Sequence, residues 1–338
     1  MTAQSAMFSE IGEVPAKADA LLSRFDAVEN AARVIAGFGP RLVLMCGRGS
    51  SGHVGVYLRY LFETRLGVLT APAAPSVFSV YGSRPRMEEV LFLVISQSGR
   101  SPDLVSAAQA ARQAGALTVA LVNQENSPVA AAAELVLSIG AGPERAVAAT
   151  KTVALSMMAG AQLVSALASD HELRKAVHQL PERFAAALQC QWLDFAQALS
   201  KAPAAFSAGR GYGLGPAREI ALKLTETLRL PALGFSTAEL QHGPRAAIAR
   251  TAPVLVLRQN DQAAAGIDDL VRDLRTAGET VFCAGGPKGN LPWIGADHPI
   301  LDPVAMLLPA YLAIEGAARA RGFDPDRPPH LSKVTETV

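Results

Sequence analysis

Leu91-Phe92-Leu93-Val94-Ile95-Ser96-Gln97-Ser98-Gly99-Arg100-Ser101-Pro102-Asp103 is the stretch whose reading decides the fold. Its apolar opening, rich in β-branched residues, reads as a buried strand. The pattern Leu104-Val105-Ser106-Ala107-Ala108 that follows reads as a helix. Ser101 suits the N-cap, Pro102 the first helical position and Asp103 the first turn. Three hydroxyls and an amide therefore stand where a parallel strand hands over to a helix. Backbone N–H groups and the helix dipole make such a corner attract anions. It holds no lysine and lacks the spacing of a nucleotide-triphosphate loop, so a small phosphoryl group fits it better. An ordinary polar strand-to-helix connection would carry the same residues without a ligand.

Outward from this corner the rhythm repeats. Arg41–Cys46, Val90–Ser96, Leu117–Asn123 and Leu135–Ile139 read as strands, and Val54–Thr64 and Pro102–Ala114 as helices. A short helix starts at Pro128, and Gly142–Lys151 is a polar turn into a long helix ending near Ser169. Fully apolar strands alternating with helices predict a parallel sheet covered on both faces. Residues 170–200 are amphipathic and helical, and the alternation then restarts. Ala205–Ala208, Pro253–Arg258 and Thr280–Ala284 read as strands, and Pro216–Leu228 and Ile267–Thr276 as helices. Gly47-Arg48-Gly49 and Gly209-Arg210-Gly211 each follow a strand and precede a helix, a faint internal repeat. The expected organisation is a helical arm at 1–37, an α/β domain at 38–170, a helical connector at 171–200, a second α/β domain at 201–322 and a tail at 323–338.

Composition narrows the function. Of 338 residues half are apolar and 18% charged, and the net charge is +1. That describes a well-cored chain with no basic run, so nucleic acid is not an expected partner. Cys46, Cys190 and Cys283 are widely spaced, which points to a reducing compartment and away from structural zinc. The N-terminus carries acids and no apolar core, and Lys151 interrupts the apolar stretch 147–167. Neither a signal peptide nor a membrane span is expected, and the location read from this is cytoplasmic.

Five segments in order carry a resemblance. They are Ser96-Gln97-Ser98-Gly99, Ala149-Thr150-Lys151, Ala221-Leu222-Lys223-Leu224-Thr225-Glu226, Glu239-Leu240-Gln241-His242-Gly243-Pro244 and Leu331-Ser332-Lys333-Val334-Thr335-Glu336. Together they resemble two tandem sugar isomerase (SIS) domains over about residues 40–338. The pattern is that of the isomerase half of glutamine-dependent glucosamine-6-phosphate synthase, and more closely of the stand-alone SIS-type glucosamine-6-phosphate deaminases. Glu10-Ile11-Gly12-Glu13-Val14-Pro15 resembles the family's leading helix. The resemblance implies a flavodoxin-like three-layer fold in each half, no metal or organic cofactor, and a homodimer with shared active sites.

It also implies roles. Ser51 or its neighbour Ser50, with Ser96, Gln97, Ser98 and Ser101, would hold the phosphate of a hexose or hexosamine 6-phosphate. Val147 would contact the sugar through its backbone. Glu226 would move a proton between C1 and C2, a task that suits a carboxylate. His242, sixteen residues on, would open the ring, and Lys333 would stabilise the enediolamine. Lys223 would assist, or would serve as a charge partner for Glu219 or Glu226 on its own helix. Glu226 as a solvated surface acid and Lys333 as an exposed tail lysine are the plainer readings. Arg48 and His53 are open between substrate contact and structure. The loop Gly47-Arg48-Gly49-Ser50-Ser51 departs from the synthase pattern and resembles the deaminases. Residue 2 is Thr2 and no glutaminase segment precedes residue 40, so the expected reaction uses or releases free ammonia. The expected function is glucosamine 6-phosphate and water to fructose 6-phosphate and ammonia. The alternatives are a deaminase or deglycase of another amino-sugar phosphate, and a non-catalytic sugar-phosphate sensor.

Overall fold

A computed structural model describes residues 4–333, so the tail motif's Val334, Thr335 and Glu336 lie outside the described residues. The chain order is α1 (Ala6–Gly12), α2 (Val14–Leu22), α3 (Phe25–Phe38), β1 (Leu42–Cys46), α4 (Gly49–Leu61), β2 (Leu69–Pro72), α5 (Pro75–Ser79), β3 (Val90–Ser96), α6 (Pro102–Gln113), β4 (Leu117–Val122), α7 (Pro128–Ala132), β5 (Leu135–Ser138) and α8 (Lys151–Leu167). It continues with α9 (His171–Ala187), α10 (Leu193–Lys201), β6 (Ala205–Gly209), α11 (Leu214–Leu228), β7 (Ala232–Ser236), α12 (Thr237–Leu240), β8 (Val254–Leu257), α13 (Ala264–Thr276), β9 (Val281–Ala284), α14 (Asp302–Ala305) and α15 (Leu307–Ala320).

Two compact units result. One holds residues 16–144, 155–178 and 332–333, and the other holds 4–15, 145–154 and 179–331. Helix α1 therefore counts with the second half of the chain. The cause is local: the Glu10 carboxylate accepts the backbone N–H groups of Arg145 and, at 3.3 Å, of Ala146. Asp326 accepts the N–H groups of Ala6 and Met7 at 2.7 and 2.8 Å.

The first unit contains a five-stranded sheet in the order β2-β1-β3-β4-β5, all parallel. Every residue of β3 and β4 is buried, as strands covered on both faces must be. Phe92, Val94, Leu104, Ala107 and Ala108 share one core cluster, and each large apolar side chain so enclosed stabilises the fold by about 1.5–3 kcal/mol. The second unit contains a four-stranded parallel sheet, β7-β6-β8-β9, the same order less one strand. Val254, Val256, Ile267, Leu270 and Val271 form its cluster. In both sheets the strand order reverses beside the first strand, and in such folds ligands sit outside the carboxyl ends of the strands at that switch.

Two elements differ from the sequence reading. Helix α4 starts at Gly49 rather than Val54, so the Gly/Ser run is its first turn. Small residues permit this: a Cβ on Gly47 would lie 3.0 Å from the Ser51 carbonyl carbon. Strand β7 went unread because it is a half-exposed edge strand interrupted by Gly234, without an apolar run. No helix among the described residues is long and apolar enough to cross a membrane.

Candidate active site

The expected phosphate corner lies at the switch between β1 and β3. Ser96 ends β3 and is buried, Ser101 is the N-cap of α6, and Pro102 opens that helix as its fixed φ favours. Ser50 and Ser51 lie in the first turn of α4. Two helix N-termini, each the positive end of a helix dipole, thus flank the gap between neighbouring strands. The Ser96 hydroxyl oxygen accepts the Gly99 N–H at 3.0 Å, and that of Ser98 accepts the Arg100 N–H at 3.3 Å. Those two N–H groups are therefore turned inward. Among the described residues the Ser96 and Ser98 O–H protons go to no protein acceptor, which leaves them to donate to a ligand. Gly99 sits at φ +62°, and a Cβ there would fall 2.1 Å from the Ser127 oxygen. Only glycine fits that turn. Gln97 and Ser98 are half-buried.

Arg48 extends from the end of β1 to Asp103 in the first turn of α6. Its Nε donates to Oδ2 of that fully buried carboxylate. Cys46 lies nearby, where burial and then the Asp103 charge push its thiol up to about 12. It is not a thiolate nucleophile at neutral pH. Lys333, in the same unit, donates to buried Glu144 at 3.0 Å.

The other unit holds Lys223 and Glu226, one turn apart on α11. The Lys223 side chain is 1% exposed, Glu219 is 0% and Glu226 21%. Lys223 Nζ donates to Glu226 Oε2, and Glu219 Oε1 lies 3.4 Å away on the opposite turn. The buried Tyr311 hydroxyl, from α15, reaches the same Glu219 oxygen at 3.4 Å. The plain reading of Glu226 as a solvated surface acid is therefore corrected: it is mostly enclosed and held by a buried ammonium. Lys223 is a charge partner to both glutamates at once. His242 is exposed, at the start of the 3-10 turn Gly243–Ala247. The structure does not bring its imidazole into hydrogen-bond reach of Glu226. The N–H of Val147 donates to Asp326 O at 3.1 Å. Lys151, fully buried, donates to Glu13 at 2.6 Å. The leading Glu10–Glu13 pair thus holds the turn that carries Val147 and Lys151.

Sequence reasoning missed Asp103 as an anchor, Tyr311 and Glu144. Glu219 was named there as a charge partner for Lys223, from its spacing four residues earlier. At the second unit's switch point a buried amide bridges the ends of two neighbouring strands. Fully buried Gln259, beyond β8, donates to the Arg210 carbonyl beyond β6 at 2.8 Å and to Asp261 at 3.0 Å. Among the described residues no group of three or more His, Cys, Asp or Glu is gathered to hold a metal ion.

The sequence profile of the SIS domain matches residues 40–166, the segment that builds the first unit's switch point. The solved structure of a "putative phosphosugar isomerase" from Silicibacter pomeroyi DSS-3 is 38% identical, with a TM-score of 0.91 over 96% of this chain and 100% of that one. The chain belongs to the SIS family. Glutamine–fructose-6-phosphate aminotransferase of Methanothermobacter thermautotrophicus is 31% identical over 97% of this chain, which spans 56% of that relative's length. A glucosamine-6-phosphate deaminase from Thermotoga maritima, 22% identical with a TM-score of 0.78 over 98% of this chain and 100% of that one, shares the SIS fold.

Proposed function

We propose that this SIS protein is a phosphosugar deaminase that converts glucosamine 6-phosphate and water to fructose 6-phosphate and ammonia. The observation that carries the reading is the Glu226 carboxylate, largely enclosed yet open to a ligand, and held by the buried Lys223. A general base needs that combination of fixed position and access. The deaminase form of the Arg48-Gly49-Ser50-Ser51 loop supports the choice of reaction. The hydroxyl-lined corner at β1/β3 supports a sugar phosphate as the substrate.

In this reading the corner grips the phosphate and His242 moves the proton that opens the pyranose. Glu226 takes the proton from C2 of the open-chain amino aldehyde and returns it to C1. As O1 gains a proton and the nitrogen gives one up, the product of that transfer is an imine at C2. Water adds to C2, ammonia leaves, and the ketone of fructose 6-phosphate remains. Lys333 stabilises the negative oxygen of the intermediate. His242 is exposed and unengaged, which fits donation to a neighbouring subunit's site in a homodimer. The test is ammonia release from a panel of hexosamine 6-phosphates, with fructose 6-phosphate plus glutamine as the control. Release from glucosamine 6-phosphate is expected. Silence across the panel, or synthesis from glutamine by the purified protein, refutes the reading.

A further inference from the structure

We propose that Arg48 is the cation that recognises the substrate's phosphoryl group; the proposal rests on the phosphosugar reading above. A sugar phosphate monoester carries between one and two negative charges at neutral pH, its second pKa lying near 6. The corner offers it hydroxyls and two helix N-termini, each equivalent to about half a positive charge. Asp103, fully buried at the same corner, opposes an anion. Without Arg48 the Asp103 charge would cancel the two helix N-termini and leave the corner about neutral before any ligand arrived.

The geometry gives Arg48 a second role beside neutralising Asp103. Its contact is single-pronged: Nε meets Oδ2, while Oδ1 of the buried carboxylate has no hydrogen-bond partner among the described residues. A bidentate pair would have used one Nη as well. Neither Nη of Arg48 meets a protein acceptor among the described residues, and the side chain stays 47% exposed. A tie serving only to join the two loops would bury the guanidinium and engage both carboxylate oxygens. Here Asp103 fixes the plane of the guanidinium from its Nε side. The two Nη groups are left to donate in parallel to two phosphate oxygens, as the planar fork allows and an ammonium cannot. The residue stands between the first turns of α4 and α6, across the gap where the strand order reverses.

The test uses the full chain and inorganic phosphate as the probe, with calorimetry in a phosphate-free buffer at low salt. Arg48→Gln alone would strand the buried Asp103 charge, so the informative variant is the double Arg48→Gln/Asp103→Asn, which removes both charges together. It should melt as the wild type does yet bind phosphate about ten- to a hundred-fold more weakly, the range of a charge-assisted hydrogen-bonded contact. Arg48→Lys keeps a charge for Asp103 and loses the fork, so it should also bind more weakly. It carries the test if the double variant folds poorly. Ser96→Ala/Ser98→Ala is the control for the corner itself. If that control weakens phosphate while the Arg48 variants bind as tightly as the wild type, Arg48 is a loop tie and the proposal is overturned. If none of the variants changes phosphate binding, the corner falls as the phosphate site and Arg48 falls with it.

Discussion

Replacing Lys223 with methionine removes an ammonium and keeps its volume. In the native protein that ammonium sits between Glu219, with no exposed surface, and Glu226, with about a fifth of its side chain exposed. Breaking a buried ion pair by deleting one partner costs about 3–5 kcal/mol, because the remaining charge stays in a poorly solvating site. Water reaches Glu226, and Glu219 keeps a contact to the Tyr311 hydroxyl at 3.4 Å, so a loss of about 3 kcal/mol, the lower end of that range, is the working figure. At about 2–4 °C per kcal/mol for a unit of 150–250 residues, the melting temperature should fall by about 6–12 °C. The companion variant Glu219→Gln/Lys223→Met removes both fully buried charges and should regain most of that loss. Differential scanning calorimetry at pH 7 gives both numbers. A single variant melting within about 2 °C of the wild type, or a double melting no higher than the single, refutes the claim that the ammonium is held there against buried carboxylate. Exchange of the C2 proton with solvent should fall in both, since Glu226 loses the group that fixes it.

Two further outcomes follow from the same structure. Glu226→Gln should lower C1–C2 proton transfer by roughly two to four orders of magnitude, and co-expression with His242→Ala chains should restore part of the activity; hybrid dimers that form and stay inactive exclude a shared site. Burial raises the Asp302 carboxyl from 3.8 to about 6, with the nearby Arg183 opposing the shift. The folded state then binds a proton that the unfolded chain releases, so this group's stabilisation is complete below about pH 4 and is lost as pH rises through about 6. Asp302→Asn should remove that fall between pH 4 and 7, and a thermal-melt series that keeps the wild-type slope would contradict it.

What could be read in the sequence follows from what generates signal locally. Strand β3 was read at its observed ends, because a strand buried on both faces leaves an unbroken apolar run and Ser101-Pro102 marks the next helix. The Lys223–Glu226 contact was legible as spacing on one helix. The Arg48–Asp103 pair spans 55 positions and Lys333–Glu144 spans 189, so no local pattern announces either. The start of α4 was misplaced because glycine and serine read as loop, although at a helix N-terminus they permit close approach of the backbone. Glu10 and Glu13 were recognisable only as a family-like leading helix. Their work, holding the turn at 145–151, depends on a fold that brings the leading helix and that mid-chain turn into one unit.

The buried amide of Gln259 has a mechanical consequence. The Arg210 carbonyl also accepts the Gly213 N–H at 3.0 Å, so cutting its bond to Gln259 would strand one N–H of the fully buried amide, at a cost of about 1–3 kcal/mol. The backbone just before helix α11 is therefore stiff, and α11 carries Lys223 and Glu226. The first sheet's switch point is the one proposed to receive the phosphate; the second sheet uses the corresponding place as a brace. In the proposed reaction Glu226 must reach two adjacent carbon atoms without drifting, and it would gain from standing on the braced half. Loosening Gln259 would then blur its aim from a distance, with no change to any group assigned to the sugar.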